Sequence, residues 1–261
     1  MIKLIASDMD GTLLNEHGKL NEEFFNILDK LKQKGILFVS ASGRQYYSLK
    51  NKFSKVKDDI IYVAENGSYV IYKGKELSSS ILDKDVIEEL IKISRQIDGC
   101  EIVLCGKKSA YVEKTYPEFI TEVEKYYHKY EQVNNFSEID DDILKFTICD
   151  LKGAAENSNK VYSPIFGDKL QITVSGELWL DIINNDVNKG AAIELLQEKF
   201  NIKPEETMVF GDYFNDIHML QSAYHSYAME NAPDGVKKHA RFIAKSNAEN
   251  GVLEVISNKV L

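Results

Sequence analysis

The chain has 261 residues, of which 44% are hydrophobic and 28% are charged, and its formal net charge is −9. This composition excludes a generally disordered chain, and the length allows a large core near the size at which domains divide. An acidic chain is unsuited to general nucleic-acid binding, which depends on neutralising phosphates with Lys and Arg. No apolar run approaches the roughly 20 residues of a membrane span, so we expect no membrane partner.

The start of the chain and its cysteines indicate where the protein resides. A strand pattern begins within two residues of Met1, which leaves no room for a signal peptide. Cys100, Cys105 and Cys149 are sparse and odd in number, as expected in a reducing compartment. The expected location is therefore the cytoplasm.

A short apolar strand is predicted at residues 2–6 and is followed by Asp8, Asp10, Gly11 and Thr12. Side chains alternate along a strand, so two acids two residues apart are expected on one side. Gly11 permits a sharp turn, and Thr12 adds a hydroxyl there. Taken alone, an ordinary polar turn explains this pattern at least as well as a cation site with nucleophilic or acid–base chemistry.

The next part of the chain alternates predicted helices and strands. An amphipathic helix at residues 21–34 is followed by a buried strand at 36–39 that leads into Ser42, Gly43 and Arg44. After a second helix ending near Leu49, strands at 60–63 and 68–72 flank Asn66, which is either a turn former or a substrate contact. The strand–helix–strand order predicts right-handed crossovers and a parallel sheet.

The order of elements changes at about residue 83. Helices are predicted at 86–97, 116–130 and 154–160, and strands at 101–105, 110–113, 144–149, 170–175 and 178–183. Neighbouring strands mixed with helices, without strict alternation, indicate α+β organisation. We therefore expect residues 83–183 to form a domain inserted into a first domain made of residues 1–82 and 184–261.

The strand–helix alternation resumes after the insertion. A helix predicted at residues 189–200 begins with Lys189, and a buried strand at 207–210 leads into Asp212, Asn215 and Asp216. The remaining predicted elements are a helix at 217–223, a strand at 226–229, a helix at 235–240, a strand at 242–244 and a helix at 251–256.

Polar groups thus follow three predicted strands of one parallel sheet. Ligands bind outside the carboxyl ends of such strands, so the three loops are expected to converge on one crevice. These loops hold Asp8 and Asp10, then Ser42, then Asp212, Asn215 and Asp216. Lys189 can supply a cation to the same place. Carboxylates around a hard cation, with a lysine and a hydroxyl nearby, predict a site for phosphoryl transfer.

This ordered set resembles the haloacid dehalogenase (HAD) superfamily phosphatases of the Cof type. The four matching motifs are Asp8-Met9-Asp10-Gly11-Thr12, Ser42-Gly43-Arg44, Asn188-Lys189-Gly190 and Gly211-Asp212-Tyr213-Phe214-Asn215-Asp216. The resemblance covers essentially the whole chain. It implies an α/β fold, with a Rossmann-like parallel-sheet HAD core and an inserted α+β cap domain.

The resemblance also implies roles for individual residues. Asp8 resembles the nucleophile that forms an aspartyl-phosphate, and Asp10 resembles the general acid–base. Mg²⁺ would be held by the Asp8 carboxylate, the Asp10 backbone carbonyl and Asp212. The implied phosphate-binding residues are Ser42, Gly43 and Asn215, the third catalytic residue is Lys189, and the supporting residues are Asp216 and Arg44.

The implied activity is Mg²⁺-dependent hydrolysis of small phosphorylated metabolites such as sugar phosphates. Two alternatives stay open: a phosphotransferase or phosphomutase acting on sugar phosphates, and a non-catalytic regulator that binds metal or phosphate. Ser42 stands where threonine is usual, and residues 183–187 lack the Pro and Gly often found before the motif lysine, which leaves the hinge geometry open. The sequence predicts no oligomeric state.

Overall fold

The structure is a computed structural model that describes residues Met1–Leu261. Its strands are β1 (Leu4–Ser7), β2 (Leu37–Ala41), β3 (Ile60–Ala64), β4 (Tyr69–Tyr72), β5 (Lys75–Ser79), β6 (Cys100–Gly106), β7 (Ala110–Val112), β8 (Tyr130–Gln132), β9 (Ile143–Asp150), β10 (Leu170–Val174), β11 (Trp179–Asn184), β12 (Thr207–Gly211), β13 (His225–Met229) and β14 (Phe242–Ala244). Its α-helices are α1 (Glu23–Gln33), α2 (Tyr46–Lys52), α3 (Lys84–Ser94), α4 (Pro117–Tyr126), α5 (Ser158–Phe166), α6 (Lys189–Phe200), α7 (Ile217–Gln221), α8 (Asp234–Lys237) and α9 (Gly251–Lys259).

The chain divides into two compact units. Met1–Ser78 and Asn188–Leu261 together form one, which we call the core unit, and Ser79–Val187 forms the other, which we call the inserted unit. The sequence placed the boundaries at 82/83 and 183/184, so the inserted unit has a few more residues at each end than expected. None of the helices combines the length and the apolar character needed to cross a bilayer.

The core unit contains a sheet with strand order β14-β13-β12-β1-β2-β3-β4-β5. All neighbouring pairs from β14 to β3 are parallel, and β4 runs antiparallel to β3. The predicted parallel α/β fold is therefore confirmed. The predicted return strand after Asn66 is also present, as β4, whereas β5 was missed because its exposed Lys75 and Glu76 give no apolar pattern.

Both faces of the core sheet are buried. Within β1, Ile5 packs into one apolar cluster, whereas Leu4 and Ala6 pack into another, as the alternation of strand side chains requires. Helices α1 and α9 pack on the Ile5 face, and α6 and α7 on the other face. Helices cover both faces of the sheet. The polar residues that follow the strands therefore lie at the carboxyl ends of the parallel strands.

The inserted unit has a six-stranded sheet of order β10-β11-β9-β6-β7-β8. Its pairs are antiparallel except β7–β8, which is parallel. Helices α3 and α5 contribute Leu90 and Tyr162 to the apolar cluster on one face, and α4 contributes Phe119 to a second cluster. This mixture of antiparallel strands and helices confirms the predicted α+β character.

All three helices of the inserted unit differ from their predicted bounds, and the first of them, expected over residues 86–97, is observed as Lys84–Ser94. The helix expected over residues 116–130 ends at Tyr126, because Tyr130–Gln132 pairs with β7 as β8, and these strand hydrogen bonds override the helical pattern. The helix expected over 154–160 begins only at Ser158, whose N–H donates to Asp150 Oδ2 at 2.8 Å. It continues to Phe166, which packs in the cluster on that face.

Candidate active site

Three adjacent strands of the core sheet carry the predicted site residues. Strand β1 lies between β12 and β2, and all three run in the same direction. Asp8, Ser42 and Asp212 are the first residues after these strands. The sheet order therefore brings together the three loops that the sequence placed at one edge.

A buried lysine joins two of the acids. Lys189 Nζ lies 2.5 Å from Asp8 Oδ1 and 2.7 Å from Asp216 Oδ1, and the lysine side chain is 0% exposed. Lys189 is the first residue of α6, where the Asn188 side chain accepts a hydrogen bond from the Ala191 N–H. The N-cap thus fixes the lysine at the start of a rigid helix.

The pKa of Lys189 reflects this pairing. Burial alone would lower the pKa, but the charges of Asp216 and Asp8 and the hydrogen bonds to them raise it above its ordinary value. The ammonium is therefore held in its charged form, as a permanent cation between two carboxylates.

Asp212 is fixed by the loop that follows β1. Thr12 Oγ1 donates to Asp212 Oδ1 at 2.7 Å. Gly11 has a φ of +81°, and a Cβ there would lie 2.3 Å from Asp212 Oδ2, so only glycine allows this approach. Thr12, whose hydroxyl the sequence noted without assigning it to the site, is thus part of the support for Asp212.

Asp216 holds the backbone of the loop that carries Asp212. Its Oδ2 accepts hydrogen bonds from the N–H groups of Asp212 and Tyr213, at 2.9 and 3.1 Å, while its Oδ1 accepts from Lys189. The side chain is fully buried. Asp216 therefore links the position of the Asp212 backbone to the position of the lysine.

Asp8, Asp212 and Asp216 form a cluster whose ligand oxygens lie within 4.8 Å of one another. Burial raises the pKa of Asp8 well above its usual range, against the lowering effect of Lys189, and the charges of Asp216 and Asp212 raise it further. Burial also raises the pKa of Asp212 to about 6. The cluster thus contains three carboxylates, and Lys189 contacts two of them, Asp8 and Asp216. An oxygen-rich group with more negative than positive charge fits a hard divalent cation such as Mg²⁺.

The loops after β2 and β3 are hydrogen-bonded to each other beside this cluster. Ser42 is 2% exposed, and its carbonyl accepts from the Asn66 N–H at 3.0 Å. Asn66 Oδ1 in turn accepts from Asn215 Nδ2 at 3.0 Å. A Cβ on Gly43 would lie 3.1 Å from the Asn66 amide, so a small residue suits this position. The Asn66 side chain is thus more than a turn former, since it bridges to a predicted site residue.

Asp10 lies in different surroundings from Asp8. Strand β1 ends at Ser7, so the two acids are not on a strand, and the expectation that they share one strand side is wrong. The Asp10 carboxylate is 54% exposed and forms two hydrogen bonds with the Arg44 guanidinium. It is not a member of the buried carboxylate cluster.

One supporting residue was missed by the sequence analysis. Asn231 Nδ2 donates to the Gly11 carbonyl at 2.8 Å, which ties the turn after β13 to the turn after β1. The turn 231–233 was predicted, but no sequence signal connected it with a residue more than 200 positions away.

Comparison with known proteins decides the family. The family model described as haloacid dehalogenase-like hydrolase matches residues 5–256. This chain belongs to that family. Together with its relatives, the match identifies the chain as a HAD-superfamily phosphatase of the Cof type.

Two curated relatives cover the whole chain. An Escherichia coli (strain K12) protein named 5-amino-6-(5-phospho-D-ribitylamino)uracil phosphatase YbjI is 39% identical over 100% of this chain and 96% of its own length. The Bacillus subtilis (strain 168) protein YcsE, named for the same activity, is 30% identical over 100% of this chain and 96% of its own length. Both relatives are named as enzymes, which disfavours the alternative of a non-catalytic regulator.

A solved structure has the same architecture as this chain. The crystal structure of SMU.1108c from Streptococcus mutans UA159 has a TM-score of 0.88 and 35% sequence identity, and the match covers 99% of this chain and 98% of that one. The match spans the core and inserted units alike. Together with the family match, it confirms the predicted HAD fold with an inserted domain.

Proposed function

We propose that the protein is a Mg²⁺-dependent phosphomonoesterase that hydrolyses small phosphorylated metabolites through an aspartyl-phosphate at Asp8. The observation that carries the proposal is the buried group of Asp8, Lys189, Asp216 and Asp212 at the carboxyl edge of the sheet. Asp8 is the member of this group that directly follows the central strand and contacts the lysine. These contacts support a nucleophilic carboxylate beside a fixed positive charge.

In the proposed reaction, an Asp8 oxygen bonds to phosphorus while the bond from phosphorus to the substrate oxygen breaks. Asp10 gives its proton to the departing alcohol, and it then takes a proton from the water that releases phosphate from Asp8. Lys189 offsets charge on Asp8 and on the phosphoryl group, to which Ser42, Gly43 and Asn215 offer hydrogen-bond donors.

The metal would be held by the Asp8 and Asp212 carboxylates and the Asp10 backbone carbonyl. When bound, Mg²⁺ supplies positive charge that offsets repulsion between an anionic nucleophile and an anionic phosphoryl group. Asp216 would act on this site indirectly, because its carboxylate positions the Asp212 backbone and Lys189.

We further propose that the inserted unit selects the leaving group and excludes water during the reaction. Chain connectivity supports this role, since the inserted unit ends at Val187, two residues before Lys189. The chain thus passes from the inserted unit directly to a residue of the proposed site.

The names of YbjI and YcsE supply the first substrate to test, 5-amino-6-(5-phospho-D-ribitylamino)uracil. We expect the purified protein to release phosphate from it with Mg²⁺, with kcat/KM of at least about 10⁴ M⁻¹s⁻¹, and to lose activity in EDTA. A panel of sugar phosphates measured in parallel compares substrate classes. Absence of hydrolysis across the panel would overturn the proposed function, and full activity in EDTA would overturn its metal requirement.

Metal binding should also be visible as a pH-dependent stabilisation. Without metal, the raised pKa of Asp212, about 6, means that the folded state binds its proton more tightly than the unfolded state does. Stability is therefore lost as pH rises from about 4 to about 6, and Mg²⁺ should restore it by binding the ionised carboxylates. We expect Mg²⁺ to raise Tm by several degrees at about pH 7.5 and by much less at about pH 5.

Differential scanning fluorimetry in EDTA and in excess Mg²⁺ measures this difference. The matched control is Asp212→Asn, which keeps the side-chain volume and should abolish the Mg²⁺-dependent shift at both pH values. Equal Mg²⁺ shifts at the two pH values, or a full shift in Asp212→Asn, would contradict the proposed metal site.

A further inference from the structure

Two loops of the core unit are joined by a bidentate ion pair. Arg44 Nε donates to Asp10 Oδ2, and Arg44 Nη2 donates to Asp10 Oδ1, both at 2.6 Å. Two parallel N–H···O bonds between a planar guanidinium and a planar carboxylate fix the carboxylate's orientation as well as its position. The pair thus holds Asp10 in one rotamer.

The backbone of Arg44 is itself anchored. Its N–H donates to Ser42 Oγ at 3.2 Å, and its carbonyl accepts from the Glu65 N–H at 3.1 Å. Asp10 follows β1 and Arg44 follows β2, which are adjacent parallel strands. The guanidinium is therefore presented from a fixed backbone beside the loop that carries Asp10.

Stability does not account for this geometry. The Asp10 side chain is 54% exposed and that of Arg44 is 26% exposed, and ion pairs with this degree of exposure contribute little to folding. The pair also leaves acceptor sites open on the Asp10 carboxylate. A carboxylate offers about four lone-pair sites, and the two bonds from Arg44 use two of them.

We propose that Arg44 is a positioning residue for Asp10, which it holds where the carboxyl exchanges protons with the leaving alcohol and then with water. This inference rests on the proposed function, in which Asp10 is the general acid–base. Both transfers use one carboxyl group, which must lie within hydrogen-bond reach of the transferred proton. Arg44 acts through Asp10 and not by binding the phosphoryl group.

The test compares two esters that differ in their need for an acid. The alcohol of an alkyl phosphate must be protonated as it leaves, whereas 4-nitrophenolate leaves without a proton. We expect Arg44→Ala to lower kcat/KM about 10²-fold for the alkyl ester and less than about 3-fold for 4-nitrophenyl phosphate, with no rise in KM for either ester. Arg44→Lys keeps the charge without the planar fork and should lose about 10-fold on the alkyl ester.

A double-mutant cycle separates positioning from other effects. If Arg44 acts through Asp10, then adding Arg44→Ala to Asp10→Asn should change kcat/KM for the alkyl ester by less than about 3-fold. The matched control is Arg95→Ala, which removes another arginine–carboxylate pair, with Glu113 in the inserted unit, and should leave both esters unaffected.

The outcomes separate this inference from the proposed function. Equal losses on both esters, a raised KM, or additive effects of Arg44→Ala and Asp10→Asn would overturn the positioning role alone. If Asp10→Asn itself fails to discriminate between the esters, the proposed acid–base role of Asp10 is wrong, and the inference falls with it. Melting curves of each variant identify any loss that is due to unfolding.

Discussion

Asp8→Asn is expected to lower kcat by at least about 10⁴-fold on every phosphate ester. Asparagine has nearly the same shape, but it lacks the anionic oxygen that would attack phosphorus. Lys189 would keep its 2.7 Å contact with Asp216, so the surrounding structure should persist. Steady-state phosphate release from a good substrate measures the loss.

The same substitution should not destabilise the protein. Burial raises the pKa of Asp8, so the ionised carboxylate is less favourable in the folded state than in the unfolded one. Replacing it with a neutral amide should therefore hold or raise Tm at neutral pH in EDTA. An exposed acid on α1, Asp29, provides the control Asp29→Asn, which should change neither property. Retained turnover in Asp8→Asn would exclude Asp8 as the nucleophile.

Lys189→Met is expected to be the most destabilising of these changes. It would leave Asp8 and Asp216 buried without their shared cation, and removing one partner of a buried ion pair costs about 3–5 kcal/mol. For a chain of this size that corresponds to a fall in Tm of about 10 °C. Activity should be lost as well, because the phosphoryl group loses a fixed positive charge.

The loss of Tm in Lys189→Met should depend on pH if charge repulsion causes it. Burial raises the pKa of Asp8 and of Asp212, so these two carboxyls take up protons as pH falls. Their protonation relieves the repulsion within the site, so Lys189→Met should lose less Tm at about pH 5 than at about pH 7.5. Lys199→Met, at an exposed position of the same helix, controls for the substitution itself. Equal Tm losses in the two variants would show that Lys189 does not carry the charge balance of the site.

The residues that the sequence predicted best are those whose positions depend on strand ends. Apolar runs identified β1, β2 and β12, and the α/β alternation implied that their carboxyl ends meet at one edge. That reasoning was enough to bring Asp8, Ser42 and Asp212 together, and Lys189 with them. It requires only that the strands are parallel, which the alternation of strands and helices implies.

The same reasoning could not predict which side chains contact each other. The Asp10–Arg44 pair joins residues 34 positions apart, and the strand period placed Asp10 beside Asp8. The sequence likewise placed Asp216 in the converging loops and left phosphate, metal waters and Lys189 open as its partners, and the structure pairs it with Lys189. Such pairings depend on rotamers and loop geometry, which a periodic pattern does not encode.

Errors in the inserted unit have a different cause. The segment over residues 116–130 was predicted as one helix, yet the helix ends at Tyr126 and Tyr130 begins β8, because β7 offers backbone hydrogen bonds there. The helix propensity of a short segment stabilises it less than hydrogen bonding and packing along a neighbouring strand do. Helix ends in this unit are therefore set by tertiary contacts that the sequence alone does not reveal.

Trapping the covalent intermediate tests the central claim most directly. Borohydride reduces an acyl phosphate to an alcohol, so quenching the enzyme with borohydride during its first turnover would convert phosphorylated Asp8 to homoserine. Peptide mass spectrometry should then find homoserine at position 8 in the presence of substrate and Mg²⁺, and aspartate when either is omitted. Phosphate release through a full first turnover with position 8 unmodified, or modification at another carboxylate, would contradict the assignment of Asp8 as the nucleophile.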